Sequence, residues 1–336
     1  MMDLLIDTYG AKVGCSGERI VLSFPGTKLK KEYPIRRLAK IVILKPAAIT
    51  THAVKLALEH DVDIVFLGYF GKPVGRVFSS EPKGLASLRR SQLEISTSDQ
   101  GFNIARLIIK RKCLNQLNYL EYLAKKYQKD FSKEILQVQT ILETIDFLPT
   151  SYQSRGQLLG IEGYIADRYF HALKSLFAFP GRHPQGRDKF NSTLNYGYGI
   201  LYNEVERICL YVGLDPYLGI CHSERYGKPS LVLDLVEEFR LPVVDSTVIP
   251  LFINKKLALP GHYQEIEPDN YQLSSRGKAI LVKAVMENLN RQVIWRGKNY
   301  TFKQVIENQI RSLARHFVGR EEKYIPFDSV KFFTNE

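Results

Sequence analysis

Near residue 100 the hydrophobic periodicity of the chain changes, and this limits its fold more than any other feature. Up to about residue 80 the apolar residues fall in short β-rich runs: Leu4-Leu5-Ile6, Arg19-Ile20-Val21-Leu22, Ile41-Val42-Ile43-Leu44, Ile64-Val65-Phe66-Leu67 and Val74-Gly75-Arg76-Val77-Phe78. Gly10, Gly14, Gly17, Pro25-Gly26 and Gly71-Lys72-Pro73 punctuate them. One helical stretch follows Thr50, which is placed to cap it, and its His52 and His60 are expected at the surface. Beyond residue 100 the spacing becomes helical, as in residues 102–123, and strand signals are few. The expected architecture is α+β. A small β-rich amino-terminal domain occupies residues 1–85, a Ser- and Gly-containing linker residues 86–101, and a larger all-helical domain residues 102–336.

A chain of 336 residues, 45% hydrophobic and 24% charged, can bury two cores without disulfides or metals as staples. Cys15, Cys113, Cys209 and Cys221 show no CxxC pair and are expected as reduced thiols. The segment Met1–Asp7 lacks the basic and apolar regions of a signal peptide, and no apolar run approaches the roughly 18 residues of a membrane span. A cytoplasmic protein with no membrane association is expected. The 47 Lys+Arg against 35 Asp+Glu leave a net charge of +12, which favours a polyanionic partner, with nucleic acid first among candidates.

Glu162 interrupts an apolar helical stripe of Leu158, Ile165, Tyr169, Leu173 and Leu176. A carboxylate on such a face costs several kcal/mol unless paired, hydrogen-bonded or bound to metal. Gly160 and Gly163 flank it, each weakening a helix by roughly 1 kcal/mol relative to alanine. Further along, His222 precedes a helix that Ser230 can cap, with Leu231, Leu235 and Phe239 as its packing stripe and Asp234, Glu237 and Glu238 sharing a face. Crowded carboxylates stay ionised most simply beside a divalent cation. An imidazole with two carboxylates and open positions suits Mg²⁺ or Mn²⁺ better than structural zinc. Taken singly, the acids read equally as a solvated helix face and His222 as a satisfied loop residue.

The most basic helix carries Arg106, Lys110, Arg111 and Lys112, opposed locally only by Glu121; it is either a solvated face or a phosphate-tracking surface. Arg225 and Lys228, close to His222, are candidate phosphate contacts, and Arg155 is another. Tyr196, Tyr198 and Tyr202 recur at a spacing that suits either half-buried core or a platform at a DNA end, with Tyr198 taken as a DNA-binding candidate. No G-x-x-x-x-G-K-[ST] loop is present, which disfavours a nucleotide-hydrolysing motor.

Gly160-Ile161-Glu162-Gly163, Asn191 through Tyr198, Gly213-Leu214-Asp215-Pro216, the Gly219-to-His222 turn and Pro229 through Arg240 occur in an order that resembles the CRISPR-associated spacer-acquisition integrases, the Cas-one family. The resemblance runs through nearly the whole chain. It implies a metal site on Glu162, His222 and Glu237, with Asp234 as an additional catalytic acid one turn earlier. It also implies a homodimer joined through the β-rich domains, dimers bridged by a small Cas-two protein, and double-stranded or branched DNA held across the assembly. The implied reaction is metal-dependent transesterification, in which the 3′-hydroxyl of a short DNA fragment attacks a phosphodiester at the edge of a CRISPR repeat. Two alternatives are a structure-specific repair nuclease and a non-catalytic DNA-binding scaffold. The chain departs from the family at Arg182 through Phe190, where relatives often carry Arg-Pro-Pro-x-Asp-Pro; His183 there is read as a loop residue.

Overall fold

The computed structural model describes residues 2–68, 73–77, 85–222, 227–257 and 260–329. The chain divides into two compact units, residues 1–90 and 91–336.

Among the described residues of the first unit, eight strands form two four-stranded sheets. They are β1 (Met2–Ile6), β2 (Lys12–Ser16), β3 (Arg19–Ser23), β4 (Lys30–Pro34), β5 (Leu38–Ile43), β6 (Ala48–Ile49), β7 (Asp63–Leu67) and β8 (Pro73–Val77), with helix α1 (Thr51–Glu59) between β6 and β7. One sheet has the order β1-β5-β7-β8, parallel except for its last pair, and the other the order β4-β3-β2-β6. Alternation along the strands sends Leu4 and Ile6 of β1, Val13 of β2, Ile20 and Leu22 of β3, and Ile41 and Ile43 of β5 into one core with Ala53 and Ala57 of α1. The Thr50 side chain accepts from the Ala53 amide and caps α1 as expected. His52 is exposed on that helix and His60 half-buried at its end. Gly14, read as punctuation, lies inside β2, and the polar strand β4 carries too little apolar signal to be read from sequence. Phe78 lies outside the described residues.

Helix α2 (Leu85–Ser96) occupies most of the stretch expected as a linker, and α3 begins at Asp99, capped by the Ser98 hydroxyl. The linker expectation is corrected accordingly: Leu88, Gln92 and Ile95 recur on one helical face and are buried.

The second unit contains α3 (Asp99–Tyr127), α4 (Ser132–Glu143), α5 (Arg155–Leu173), α6 (Lys189–Val212), α7 (Ser230–Val236), α8 (Ser246–Ile253), α9 (Ser275–Asn290) and α10 (Phe302–Phe317). Phe102, Ile109, Cys113 and Leu117 of α3, Val138 and Leu142 of α4, and Leu158 and Ile165 of α5 close a common core. The unit is not all-helical. Two hairpins interrupt it: β9 (Tyr263–Glu267) with β10 (Asn270–Leu273), and β11 (Gln292–Trp295) with β12 (Lys298–Thr301). The second turns through Arg296 and Gly297, both at positive φ (49° and 77°), the backbone that a two-residue hairpin with right-handed strand twist requires. No described helix is long and apolar enough to cross a membrane, and all four cysteines are free.

Candidate metal centre

Helices α3 and α5 pack along Ile109, Cys113, Leu158 and Ile165, and this brings Lys112 of α3 against Glu162 of α5. Helix α7 is buried over most of its surface: Leu231, Val232, Leu235 and Val236 are inaccessible, Leu233 is half-buried, and Glu237 at its carboxy-terminal end has a side chain only 2% exposed. Pro229 rather than Ser230 occupies the N-cap position, so Ser230 is the first helical residue and not the cap. The chain then passes into a π-helical turn, Arg240–Asp245, around Pro242. Proline has no N–H to give an α-helical ladder, and such turns re-aim side chains. Here Arg240 at one end and Asp245 at the other both face the site.

Lys112 Nζ contacts Glu162 directly and lies 2.6 Å from Glu237 Oε2. Arg240 Nη1 lies 2.8 Å from Glu237 Oε1, and its Nη2 donates to the Tyr202 hydroxyl at 2.6 Å. Burial works against a charged Glu237, but Arg240 and then Lys112 outweigh it and hold the carboxyl below its ordinary pKa. Burial likewise disfavours the Lys112 ammonium, yet Glu162 and Glu237 keep it above its ordinary value. Glu237 Oε2 thus has the Lys112 ammonium as its partner, and the carboxylate is held between two cations.

Asp234 turns the other way, into the 220–222 loop. Its Oδ2 accepts from the amides of Ile220 (2.6 Å) and Cys221 (3.0 Å), and its Oδ1 from the His222 amide (2.9 Å) and pairs with His222 Nδ1 at 2.7 Å. Burial alone would lower the His222 pKa; the Asp234 bond and charge raise it, and Glu237 adds to the rise. The loop can approach this closely because residue 219 is glycine: a Cβ there would meet Ser230 Cβ at 2.6 Å and Asp234 Oδ2 at 3.0 Å. From the opposite side Gln92 fixes the preceding turn, donating to the Asp215 and Leu218 carbonyls and accepting from the Asp215 amide.

The three acids of α7 and its end therefore do not share a face. Glu238 is buried against the carboxy-terminal segment, accepting from the Tyr324 hydroxyl and, at 2.6 Å, the Phe327 amide, and burial pushes its pKa up to about 7. A cavity of about 600 Å³ opens beside the Lys112–Glu162 contact, bounded also by Gln116, Arg182, Tyr198 and Arg240. Tyr198 is largely buried and donates to Asp245 Oδ1 at 2.6 Å, which makes it a structural wall rather than an exposed base platform. Its ring stacks on Tyr202 at 6.3 Å between centroids. The departing 182–190 loop is tied to α6: Asn191 accepts from Arg182 Nη1 (2.8 Å) and the His183 amide (3.1 Å) and donates to the Gly181 carbonyl (2.7 Å).

The basic residues of α3 divide. Lys110 pairs with Asp146 at 2.5 Å and Arg111 with Asp328 at 2.9 Å, so the impression that only Glu121 opposes them is corrected by acids far away in sequence, while Arg106 bonds its near neighbour Asn103 Oδ1 at 2.8 Å. None of the three is brought to the site. Lys112, read as one more member of this basic helix, proves central, and Arg240 and Asp245 carried no local signal beyond their places in the Pro229–Arg240 motif and after it. Arg155 lies with its guanidinium 3.4 Å from the Tyr152 ring centroid. Lys228 is exposed before α7, and Arg225 lies outside the described residues. Among the described residues no three His, Cys, Asp or Glu side chains are already arranged to hold an ion; an ammonium stands where the two carboxylates converge.

Comparison with known proteins agrees with this arrangement of elements. The family described as CRISPR associated protein Cas1 matches residues 4–287. The CRISPR-associated endonuclease Cas1 1 of Archaeoglobus fulgidus is 32% identical over 355 aligned positions, covering 97% of this chain and 99% of its own. A casposase bound to integration product superimposes with a TM-score of 0.78 at 25% identity over 98% of each chain. A partial Cas6-RT-Cas1–Cas2 complex contains a chain of the same fold, with a TM-score of 0.74 at 18% identity, covering 97% of this chain and 98% of that one. The chain belongs to the CRISPR associated Cas1 family.

Proposed function

We propose that this chain is a metal-dependent DNA integrase and endonuclease of CRISPR adaptation, which inserts short DNA fragments at a CRISPR repeat through attack by a 3′-hydroxyl. The observation that carries this reading is the convergence of Glu162 and Glu237 on one cation position, beside a histidine whose Nδ1 is already engaged. It gains support from the likeness to a casposase bound to its integration product.

The residues fit Mg²⁺ or Mn²⁺ in their chemistry. Glu162 and Glu237 are hard oxygen donors meeting at a point that tolerates positive charge, and Asp234 fixes the His222 ring as outer partners of metal-bound histidines do. Glu162, Glu237 and His222 would hold the ion, with Asp234 as positioning residue. When bound, the ion would supply charge stabilisation to the phosphoryl oxygens and lower the proton affinity of the attacking hydroxyl.

The chain's own groups do the rest. The attacking 3′-oxygen forms a new P–O bond as the P–O bond to the leaving 3′-oxygen breaks; the attacking hydroxyl gives up its proton and the leaving oxygen takes one, so the number of phosphodiesters is conserved and no nucleotide cofactor is consumed. Arg240, held by Glu237 and Tyr202 at the cavity wall, is placed to offset charge on the pentacoordinate phosphorus. The net charge of +12 supplies affinity for double-stranded or branched DNA. A homodimer joined through the β-rich unit and association with a small Cas-two protein complete the proposal; the Cas1–Cas2 complex in which the fold recurs is in keeping with the latter.

The test separates chemistry from binding. Glu162→Ala, His222→Ala and Glu237→Ala are expected to abolish strand transfer while DNA affinity in a gel-shift assay stays within a few-fold of wild type. Loss of binding in all three would overturn that division of labour, and free hydrolysed ends without covalent junctions in the wild-type products would instead favour a repair nuclease.

A further inference from the structure

Two cations touch Glu237, and they differ in how firmly they are held. The Arg240 guanidinium pairs with Glu237 Oε1, donates to the Tyr202 hydroxyl and lies over the Tyr198 and Tyr202 rings at 5.3 and 5.5 Å. It is fixed from several directions. The Lys112 ammonium is a compact charge on a flexible four-carbon stem, it pairs with the Glu162 and Glu237 carboxylates, and it borders the 600 Å³ cavity. Its side chain is 7% exposed, so its charge is kept in the interior by those two carboxylates.

Without a cation between them, two neighbouring carboxylates, one of them fully buried, would repel each other and take up a proton. Lys112 removes that cost. The same position cannot hold an ammonium and a divalent ion together, because the two would share the same oxygens.

Resting on the reading of Glu162 and Glu237 as metal ligands, we infer that Lys112 is a built-in stand-in for the metal: it holds both carboxylates in place while the site is unloaded, competes with a divalent cation for them, and on release carries its charge into the adjoining cavity toward a DNA phosphate. Lys112 thus has two positions. In the first it organises the ligands; in the second it joins Arg240 as a cation facing the transferred phosphate. The cavity gives the stem room to move, and a phosphodiester is the anion that would draw the ammonium there once Glu162 and Glu237 are neutralised.

The experiment measures Mn²⁺ binding directly, by the electron paramagnetic resonance signal of free ion, on purified full-length wild type, Lys112→Met, Lys112→Gln and Glu162→Ala. Both Lys112 variants are expected to bind Mn²⁺ at least about tenfold more tightly than wild type, since a competing cation has been removed. They should melt at lower temperature without metal and gain more from saturating Mn²⁺ than wild type does. Strand transfer at saturating Mn²⁺ should fall in both, despite the tighter binding. If the methionine variant fails to fold without metal, the glutamine variant, which keeps a polar end without the charge, carries the comparison. Unchanged or weaker Mn²⁺ affinity in the Lys112 variants, with binding lost in Glu162→Ala, would overturn the stand-in role and leave the metal ligands intact. Wild-type affinity in Glu162→Ala would overturn both.

Discussion

Replacing Asp234 by asparagine removes one charge and little volume, and so isolates what holds the His222 loop. The carboxylate satisfies three buried backbone amides and one ring nitrogen through two oxygens. Asparagine keeps one oxygen. If that oxygen stays with His222, the new NH₂ faces the Ile220 and Cys221 amides, donor against donor, at positions now 2.6 and 3.0 Å from Oδ2. Leaving two buried donors unsatisfied at about 1–3 kcal/mol each gives a loss of about 2–6 kcal/mol. The charge on His222 falls as well. Because its folded pKa is raised above the ordinary 6.5, its stabilisation is complete below pH 6.5 and lost as pH rises through the folded value; Asp234→Asn should flatten that window. Urea unfolding at pH 6 and pH 8, together with the NMR titration of the His222 ring, measures both effects. A loss below about 0.5 kcal/mol, the ordinary range of a surface substitution, with an unmoved His222 titration would refute the argument.

Two further expectations follow from the same geometry. Gly219→Ala should cost stability comparable to Asp234→Asn and strand transfer besides, since its Cβ would press on Ser230 and Asp234; a variant with wild-type unfolding and activity would show that the loop has slack. Wild-type stability should fall by about 2–4 kcal/mol between pH 5 and pH 8, because Glu238 and Asp245 are held at about 7 and about 6 against ordinary values of 4.5 and 3.8, mainly by burial. Folded values above unfolded ones mean stability present at low pH and lost as pH rises through 6 and 7, and His222 acts in the same direction. Asp245→Asn should remove the Asp245 share of the slope, which ends near pH 6, and leave the Glu238 share, which runs on to about pH 7; a flat or rising curve for wild type would contradict the assignment.

What could be read from the sequence was local. Glu162 announced itself because a carboxylate broke an apolar stripe between glycines, and α1 because Thr50 stood before a helical period. Lys112 gave no such sign: on α3 it looks like its neighbours Lys110 and Arg111, and what separates them is that Asp146 and Asp328 claim those two while Lys112 meets Glu162, 50 residues away. Pairings of that range leave no trace in a helical period. The divergence of Asp234, Glu237 and Glu238 was hidden for a related reason. Spacing says which residues share a face of a helix standing alone, whereas α7 is buried over most of its surface and its acids turn to three different partners. The β11–β12 hairpin carries a local turn signal in Arg296-Gly297 that the expectation of an all-helical domain passes over; the π-helical turn at Pro242 has no period of its own to read.

The most direct test of the central claim is strand transfer of a labelled short duplex with free 3′-hydroxyls into a supercoiled plasmid bearing a CRISPR repeat, in Mn²⁺ or Mg²⁺, with and without the small partner protein, comparing wild type with Glu162→Ala. A covalent junction at the repeat edge, made by wild type and absent with Glu162→Ala, is the predicted result. DNA bound by wild type without any metal-dependent junction, or a junction formed equally well by Glu162→Ala, would contradict it.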